Sequence, residues 1–323
     1  MARRYPQDRP RVSIGLPVFN GADYLVETID SILCQTFTDF ELIICDNAST
    51  DHTGDICKRS SARDKRIVYV RQPENRGAAV NYNHTFELAR GEYFKWAAHD
   101  DVLAPEYLAR CVEALDGDPG CVLVHPGTVI VDKDGNPQQC YLDYLACNSE
   151  DPVRRFAKWM IPADGMCNPV FGLVRRDVMS QTCLHGEYMG ADRVFLAEIA
   201  LRGRVHQIKQ GLFLRRVHAG MSTQAHVDFR SLDWWYTGTK TARIRFKYWR
   251  RFGEFGRMLL RVRLSMTDRM KCFAILACWA LRRGDRLLRE LMLPVYVNGR
   301  PTALARTLGQ WLPRSRLDRG KET

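Results

Sequence analysis

Over the first 125 residues, short runs of β-branched and aromatic residues alternate with stretches of helical periodicity, and this alternation restricts the chain to an α/β architecture with a mainly parallel sheet. The first run, Val12 to Leu16, meets Pro17, which predicts its end there. Leu25, Ile29, Ile32 and Leu33 then recur at the spacing of one helical face. Phe40 to Cys45 is unbroken and apolar, as a strand covered on both faces must be. A strand over Ile67 to Val70, a helix over Ala78 to Arg90 closed by Gly91, and a strand over Tyr93 to Ala97 continue the alternation. After a helix around Pro105 to Leu115 the strands come closer together. Cys121 to His125 and Val129 to Asp132 precede a turn at Asp134 and Gly135; Phe171 to Val174, a helix over Ala191 to Leu201, and strands at Val205 to Ile208 and Leu212 to Val217 follow. From Leu232 onward only helical patterns remain.

Charge divides the chain differently. The 323 residues carry a net charge of +11, yet the last 84 hold 21 Lys and Arg against 6 Asp and Glu, while the rest is slightly acidic. Such asymmetry points to an anionic partner. From Trp234 to Leu293, Arg and Lys mix with large apolar residues at helical spacing, the pattern of an interfacial helix on an anionic membrane. The competing reading is a set of helices packed on the main domain with solvated Arg faces. Nucleic acid is not expected as a partner, because no recognisable binding module is present. The eleven scattered cysteines form no CxxC pair and suit reduced, cytoplasmic thiols. The longest apolar stretch, Cys272 to Leu281, falls far short of the roughly twenty residues of a membrane span. A cytoplasmic protein, peripheral at most on the cytoplasmic membrane face, is expected.

In an open α/β sheet, ligands collect beyond the carboxyl ends of the strands. Those ends present Pro17, Asn20, Asp46, Asp100 and Asp101. Two adjacent carboxylates repel unless a cation separates them, and such oxygen ligands suit Mg²⁺ or Mn²⁺ bridging to a diphosphate. The alternative is that Asp100 and Asp101 only cap the helix near Pro105.

The stretch VSIGLPVFNGADYLVETIDSILCQTFTDFELIICDNASTD, followed in order by ENRGAAVNYNHTFELARGEYFKWAAHDDVLAPEYL, resembles the family 2 glycosyltransferases. The likeness covers roughly residues 10 to 220. It implies a GT-A (Rossmann-like) fold over 10–222 followed by a basic α-helical C-terminal region over 223–323, and inverting transfer from a nucleotide diphosphate sugar, with UDP-sugar favoured and GDP- or dTDP-sugar as alternatives. By the same likeness Pro17, Phe19 and Asn20 hold the nucleotide base, Asp46 hydrogen-bonds its ring, and Arg76 contacts base or phosphate. Asp100 faces the ribose or the metal's hydration shell and Asp101 binds Mn²⁺ or Mg²⁺ directly. Where many members carry DxDD, this chain has Ala98 and His99 before the aspartate pair.

Direct displacement at an anomeric carbon requires a base for the acceptor hydroxyl. In the resemblance this is an acidic residue at a helix start after the mixed region, where Asp192 stands; a structural carboxylate at the helix N-terminus is the alternative role. Glu187 is the reserve candidate, and Glu198 is expected to pair with Arg202. The segment RRVHAGMS resembles a basic loop over the donor diphosphate, with His218 as a further metal or pyrophosphate contact and Arg215 and Arg216 as its charge partners. His99 is a weaker candidate, and Trp96 reads as core. The acceptor, a glycan, lipid-linked glycan or glycosylated metabolite, is expected near Trp159, Asp164, Cys167 and Asn168. A nucleotidyltransferase is the rival enzyme, but VFNGADY after the first strand lacks its basic Gly-rich loop. A non-catalytic sugar-nucleotide or membrane-binding protein of the same fold is the other alternative.

Overall fold

The computed structural model describes residues 9–142, 147–160, 167–221, 234–238, 246–292, 296–297 and 300–301. Strands β1 (Val12–Val18), β2 (Phe40–Asp46), β3 (Ile67–Arg71) and β4 (Tyr93–Trp96) form a parallel array in the order β3-β2-β1-β4, with α1 (Ala22–Leu33), α2 (Thr53–Arg63) and α3 (Ala78–Glu87) between them in sequence. Every residue of β1 and β2 is buried, as their continuous apolar runs require. Order reverses between β1 and β4, so their carboxyl ends open a crevice.

The sheet then changes character. After β5 (Val102–Leu103) and α4 (Tyr107–Gly117) come β6 (Cys121–Val131), β7 (Pro137–Tyr141), α5 (Pro152–Met160), β8 (Leu173–Arg175), α6 (Arg176–Met179), α7 (Ala191–Arg202) and β9 (Arg204–Arg216). The full order is β3-β2-β1-β4-β8-β6-β9-β5, with β7 on β6; β8 is antiparallel to both neighbours.

Several boundaries differ from the sequence expectation. β1 runs through Pro17 to Val18. Gly15 turns its carbonyl toward Ala97 N, and Pro17, two residues on, faces the same side, where β4 has already ended. Its missing N–H therefore removes no ladder bond. Pro126 and Gly127 do not split the strand pair expected there, because register shifts at these residues let β6 continue beside an equally continuous β9. α3 stops three residues early, since Arg90 N is captured by Ser13 Oγ and the buried Glu41 carboxylate.

The basic C-terminal segment forms α8 (Lys247–Arg261), α9 (Met266–Arg282) and α10 (Gly284–Met292), followed by a small ladder of β10 (Tyr296–Val297) and β11 (Arg300–Pro301) that the helical patterns did not announce. Phe255, Met258, Leu259, Cys272, Leu276 and Trp279 join the core that includes Phe156, Trp159, Val194 and Phe195. α8 and α9 thus share a core with α5 and α7. α7 is apolar on nearly all sides and correspondingly enclosed. Its buried Glu198 meets Arg202 at 2.7 Å, as expected, and also Arg261 of α8 at 2.6 Å. Among the described residues no helix is long and apolar enough to cross a membrane.

Candidate active site

The crevice beyond β1 and β4 is a cleft of about 690 Å³, a size suited to a small-molecule ligand. Pro17, Phe19 and Asn20 form one edge. Asn20 sits at φ 51° and Ala48 at φ 61°, left-handed conformations that only local bonding makes tolerable. Asn20 supplies that bonding: its N–H donates to Ser49 Oγ and its Oδ1 accepts from Thr50 N, which ties the β1 turn to the β2 turn.

Asp46 lies beneath the cleft and does not line it. Its fully buried carboxylate accepts from Ser49 N at 2.8 Å, Tyr69 OH at 3.0 Å and Arg71 Nη1 at 2.7 Å. Burial beside this charge pushes the Tyr69 phenol up to about 12. Two asparagines that the sequence reading passed over occupy the lining instead. Asn47 donates to Asn75 Oδ1 at 2.8 Å and accepts from Arg76 N at 3.0 Å. Arg76 contributes that backbone bond, while its exposed side chain is not part of the lining.

At the end of β4, the carbonyls of His99 and Asp101 both lie 2.9 Å from Thr28 Oγ, fixing the aspartate pair onto α1. His99 lines the cleft against Gly21, where a Cβ would meet its ring at 2.4 Å. Asp100 Oδ2 lies 2.9 Å from His218 Nε2, and Asp101 Oδ1 accepts from Arg216 N at 3.0 Å. Burial, then the charge of Asp100, push the Asp101 carboxyl up to about 8. Among the described residues no group of three or more His, Cys, Asp or Glu side chains is placed to hold a metal ion by itself.

The two arginines expected at the diphosphate part company. Arg215 lines the cleft and donates to Asn168 Oδ1 at 3.1 Å. Arg216 also borders the cleft, but its guanidinium is engaged with Glu27 at 2.6 Å and with the carbonyls of Asp100 and Lys133 at 3.1 Å each. The direction reverses because Arg215 and Arg216 alternate across β9.

Across the cleft, Asp192 stands in the first turn of α7 after Gly190, which has φ 83°. Glu187 is exposed and outside the lining. Cys167 and Asn168 reach the cleft, whereas Trp159 packs between α5, α8 and α9, and Asp164 lies outside the described residues. Trp96 is core, as expected, with its Nε1 on Tyr82 O. The residues least legible in the sequence are His185 and the short helical turn Trp234, Trp235 and Tyr236. They line the cleft although the periodicity of that segment suggested only a basic helical tail.

A family model described as Glycosyl transferase family 2 matches residues 13–182, more than half of the chain. The chain belongs to glycosyl transferase family 2. Glycosyltransferase GlyG of Streptococcus pneumoniae is 24% identical over 230 residues, which cover 69% of this chain and 75% of GlyG. Seven further glycosyltransferase relatives are spanned over only 18% to 51% of their length. TarS of S. aureus, solved in complex with UDP, has the same architecture with a TM-score of 0.62 at 15% identity, covering 93% of this chain and 78% of TarS. Mannosyltransferase PcManGT from Pyrobaculum calidifontis, solved with GDP-Man and Mn²⁺, gives 0.55 at 18% identity over 97% and 83%. The fold is thus the expected GT-A arrangement, and the chain is a glycosyltransferase. The strand ends at Pro17 and Asp101 fall inside the family match, whereas Asp192, β9 and residues 234–236 lie beyond it.

Proposed function

We propose that this glycosyltransferase moves a sugar from a nucleoside diphosphate to an acceptor hydroxyl with inversion, by metal-assisted direct displacement. The observation that carries the reading is that Asp100 and Asp101 at one side, and Asp192 at the other, open into one cleft. UDP is the favoured nucleotide, in line with the TarS complex, and GDP is the alternative in line with PcManGT.

Pro17, Phe19 and Asn20 receive the base, with Asn75 offering its amide N–H to the base or ribose and Asn47 holding the 75–77 loop in place. Asp46 acts below them as the group that shapes the 47–49 loop. The residues present fit a divalent cation: a buried carboxyl held up to about 8 next to a second carboxylate is a donor set short of positive charge. Mg²⁺ and similar ions use one or two carboxylates plus substrate phosphates, so a pair of carboxylates is a sufficient protein share of the ligand set. Asp101 and Asp100 would hold Mn²⁺ or Mg²⁺, with His218 orienting Asp100. When bound, the ion neutralises charge on the departing diphosphate. Arg215 adds a cationic hydrogen-bond donor on the same side. Asp192 takes the proton of the acceptor hydroxyl as its oxygen attacks from the face opposite the diphosphate, which inverts the anomeric carbon.

The acceptor is a glycan, lipid-linked glycan or glycosylated metabolite. α9 and α10 expose Met266, Met270, Leu281, Leu288 and Leu291 beside Arg282 and Lys271, which supports contact with an anionic membrane surface.

Thermal denaturation with UDP-, GDP- and dTDP-sugars, with and without Mn²⁺, tests the donor assignment, because a ligand that prefers the native state raises its melting temperature. One nucleotide series is expected to raise it, and Mn²⁺ to increase the effect. Equal stabilisation with and without Mn²⁺ would overturn the metal assignment. In Asp101→Ala the Mn²⁺-dependent part is expected to vanish.

A further inference from the structure

Residues 234–238 cross the cleft and connect its two ends. Trp234 meets Phe19 edge-on with ring centroids 5.9 Å apart. Trp235 stands perpendicular to Tyr236 at 4.7 Å. Tyr236 stacks on His185 at 6.1 Å and 27°, and His185 stacks in turn on Tyr82 at 5.1 Å and 23°. The column is rigidly placed, since Asn83 accepts from His185 N and donates to His185 O, both at 2.9 Å. Tyr236 also lies near the start of α7, and burial, then the Asp192 charge, push its phenol up.

The segment is seated on the donor side through two glycines. Gly77 has φ 83° and Gly238 has φ 69°. A Cβ on Gly77 would stand 2.4 Å from Tyr236 O, and one on Gly238 would stand 2.6 Å from Asn75 O and Gly77 N. Two backbones can approach this closely only where side chains are missing. The loop so contacted, Asn75 to Gly77, is the one that Asn47 fastens.

We propose that residues 234–238 are the acceptor-binding wall of the cleft, that their aromatic faces take a pyranose ring beside Asp192, and that the Gly77–Gly238 contact couples this wall to the donor loop. The chemistry is general: the axial C–H face of a pyranose is flat and apolar while its rim is polar, so it matches an aromatic surface bordered by hydrogen-bonding groups. Asn168 and Asp192 supply such a border within the same cleft. An open-chain polyol or a lipid tail offers no equivalent ring face. This inference rests on the glycosyl-transfer reading above and adds where the acceptor is held and that a pyranose ring is the unit recognised.

The full chain is titrated with methyl β-D-glucopyranoside, methyl β-D-galactopyranoside and methyl N-acetyl-β-D-glucosaminide in the presence of UDP and Mn²⁺, by tryptophan fluorescence and saturation-transfer NMR, with ribitol as the ringless comparison. At least one glycoside is expected to bind, with its ring C–H protons most strongly saturated, and ribitol is not. In Trp235→Ala and Tyr236→Ala that glycoside should bind at least tenfold more weakly, with a much smaller change for UDP. Gly238→Ala should weaken glycoside and UDP together. UDP binding with no glycoside binding, equal binding of ribitol, or glycoside affinity unaltered in both aromatic variants overturns the acceptor wall. An unchanged Gly238→Ala protein overturns the coupling. A wild-type protein that binds no nucleotide at all would instead count against the glycosyl-transfer reading.

Discussion

Arg71 Nη1 lies 2.7 Å from Asp46 Oδ2, and the two residues are register partners at the carboxyl ends of β3 and β2. The bond closes the base of the 47–49 loop, with Arg71 Nη2 reaching Ser49 O at 2.7 Å as well. Asp46→Ala removes the acceptor of three donors at a fully buried position, and is expected to destabilise the fold by about 2 kcal/mol. Urea denaturation gives the stability and UDP titration the affinity. Both should fall, because the loop that carries Asn47 loses its support.

Arg215 and Arg216 are adjacent in sequence and opposite in role. Arg215→Ala is expected to weaken UDP-sugar binding about tenfold while leaving the melting temperature nearly unchanged, a typical loss for one charge-assisted hydrogen bond. Arg216→Ala strips partners from Glu27 and from two carbonyls, and should destabilise the protein by about 2 kcal/mol. Thermal melts and donor titrations of the two variants side by side would expose a reversal of this pattern.

Asp192→Asn keeps shape and removes basicity. Turnover is expected to drop by about 10² to 10⁴, the range for loss of a general base. Isothermal titration with UDP should give an affinity close to wild type. Loss of nucleotide binding together with turnover would mark Asp192 as a structural carboxylate of α7.

His125, buried within β6, gives a pH dependence unrelated to the chemistry. Burial pushes its imidazole down to about 4, against the ordinary value near 6.5. Between those values the unfolded chain binds more protons than the folded one, so stability falls as pH is lowered through this window. The share of that loss carried by His125 between pH 7 and pH 5 is expected to be about 2 kcal/mol, while the buried Asp101 carboxyl, raised to about 8, acts in the opposite direction over the same window. Urea midpoints at the two pH values for wild type and His125→Phe isolate it, the variant gaining stability relative to wild type at pH 5.

The strand-end part of the cleft lining was legible because it is local. Pro17, Asn20, Asp100 and Asp101 lie at strand ends, and strand ends follow from short apolar runs. The depth of a side chain is different: that Asp46 and Arg216 turn inward depends on Tyr69, Arg71 and Glu27, which come from other elements. Continuity of β6 and β9 was hidden because each strand's interruption, Pro126 in one and Gly211 in the other, is absorbed by shifts against its partner. The aromatic segment at 234–236 was hidden for a further reason. Helical spacing reports an apolar face but not the surface that will cover it, and here that surface is formed by residues more than 150 positions earlier in the chain, Phe19 and Gly77.

The enclosure of α7 sets the smallest piece of this chain that can work. Gly190, just before Asp192, is covered by Arg251 of α8, whose Nη1 would lie 2.8 Å from a Cβ there, and Arg261 neutralises the buried Glu198 on the same helix. A fragment cut after residue 222 would keep every residue of the family match and still leave α7 with one flank in water and Glu198 with one arginine fewer. A unit that keeps α7 enclosed therefore reaches at least to α9, and a truncation made to trim the enzyme for crystallisation should fall beyond Arg282.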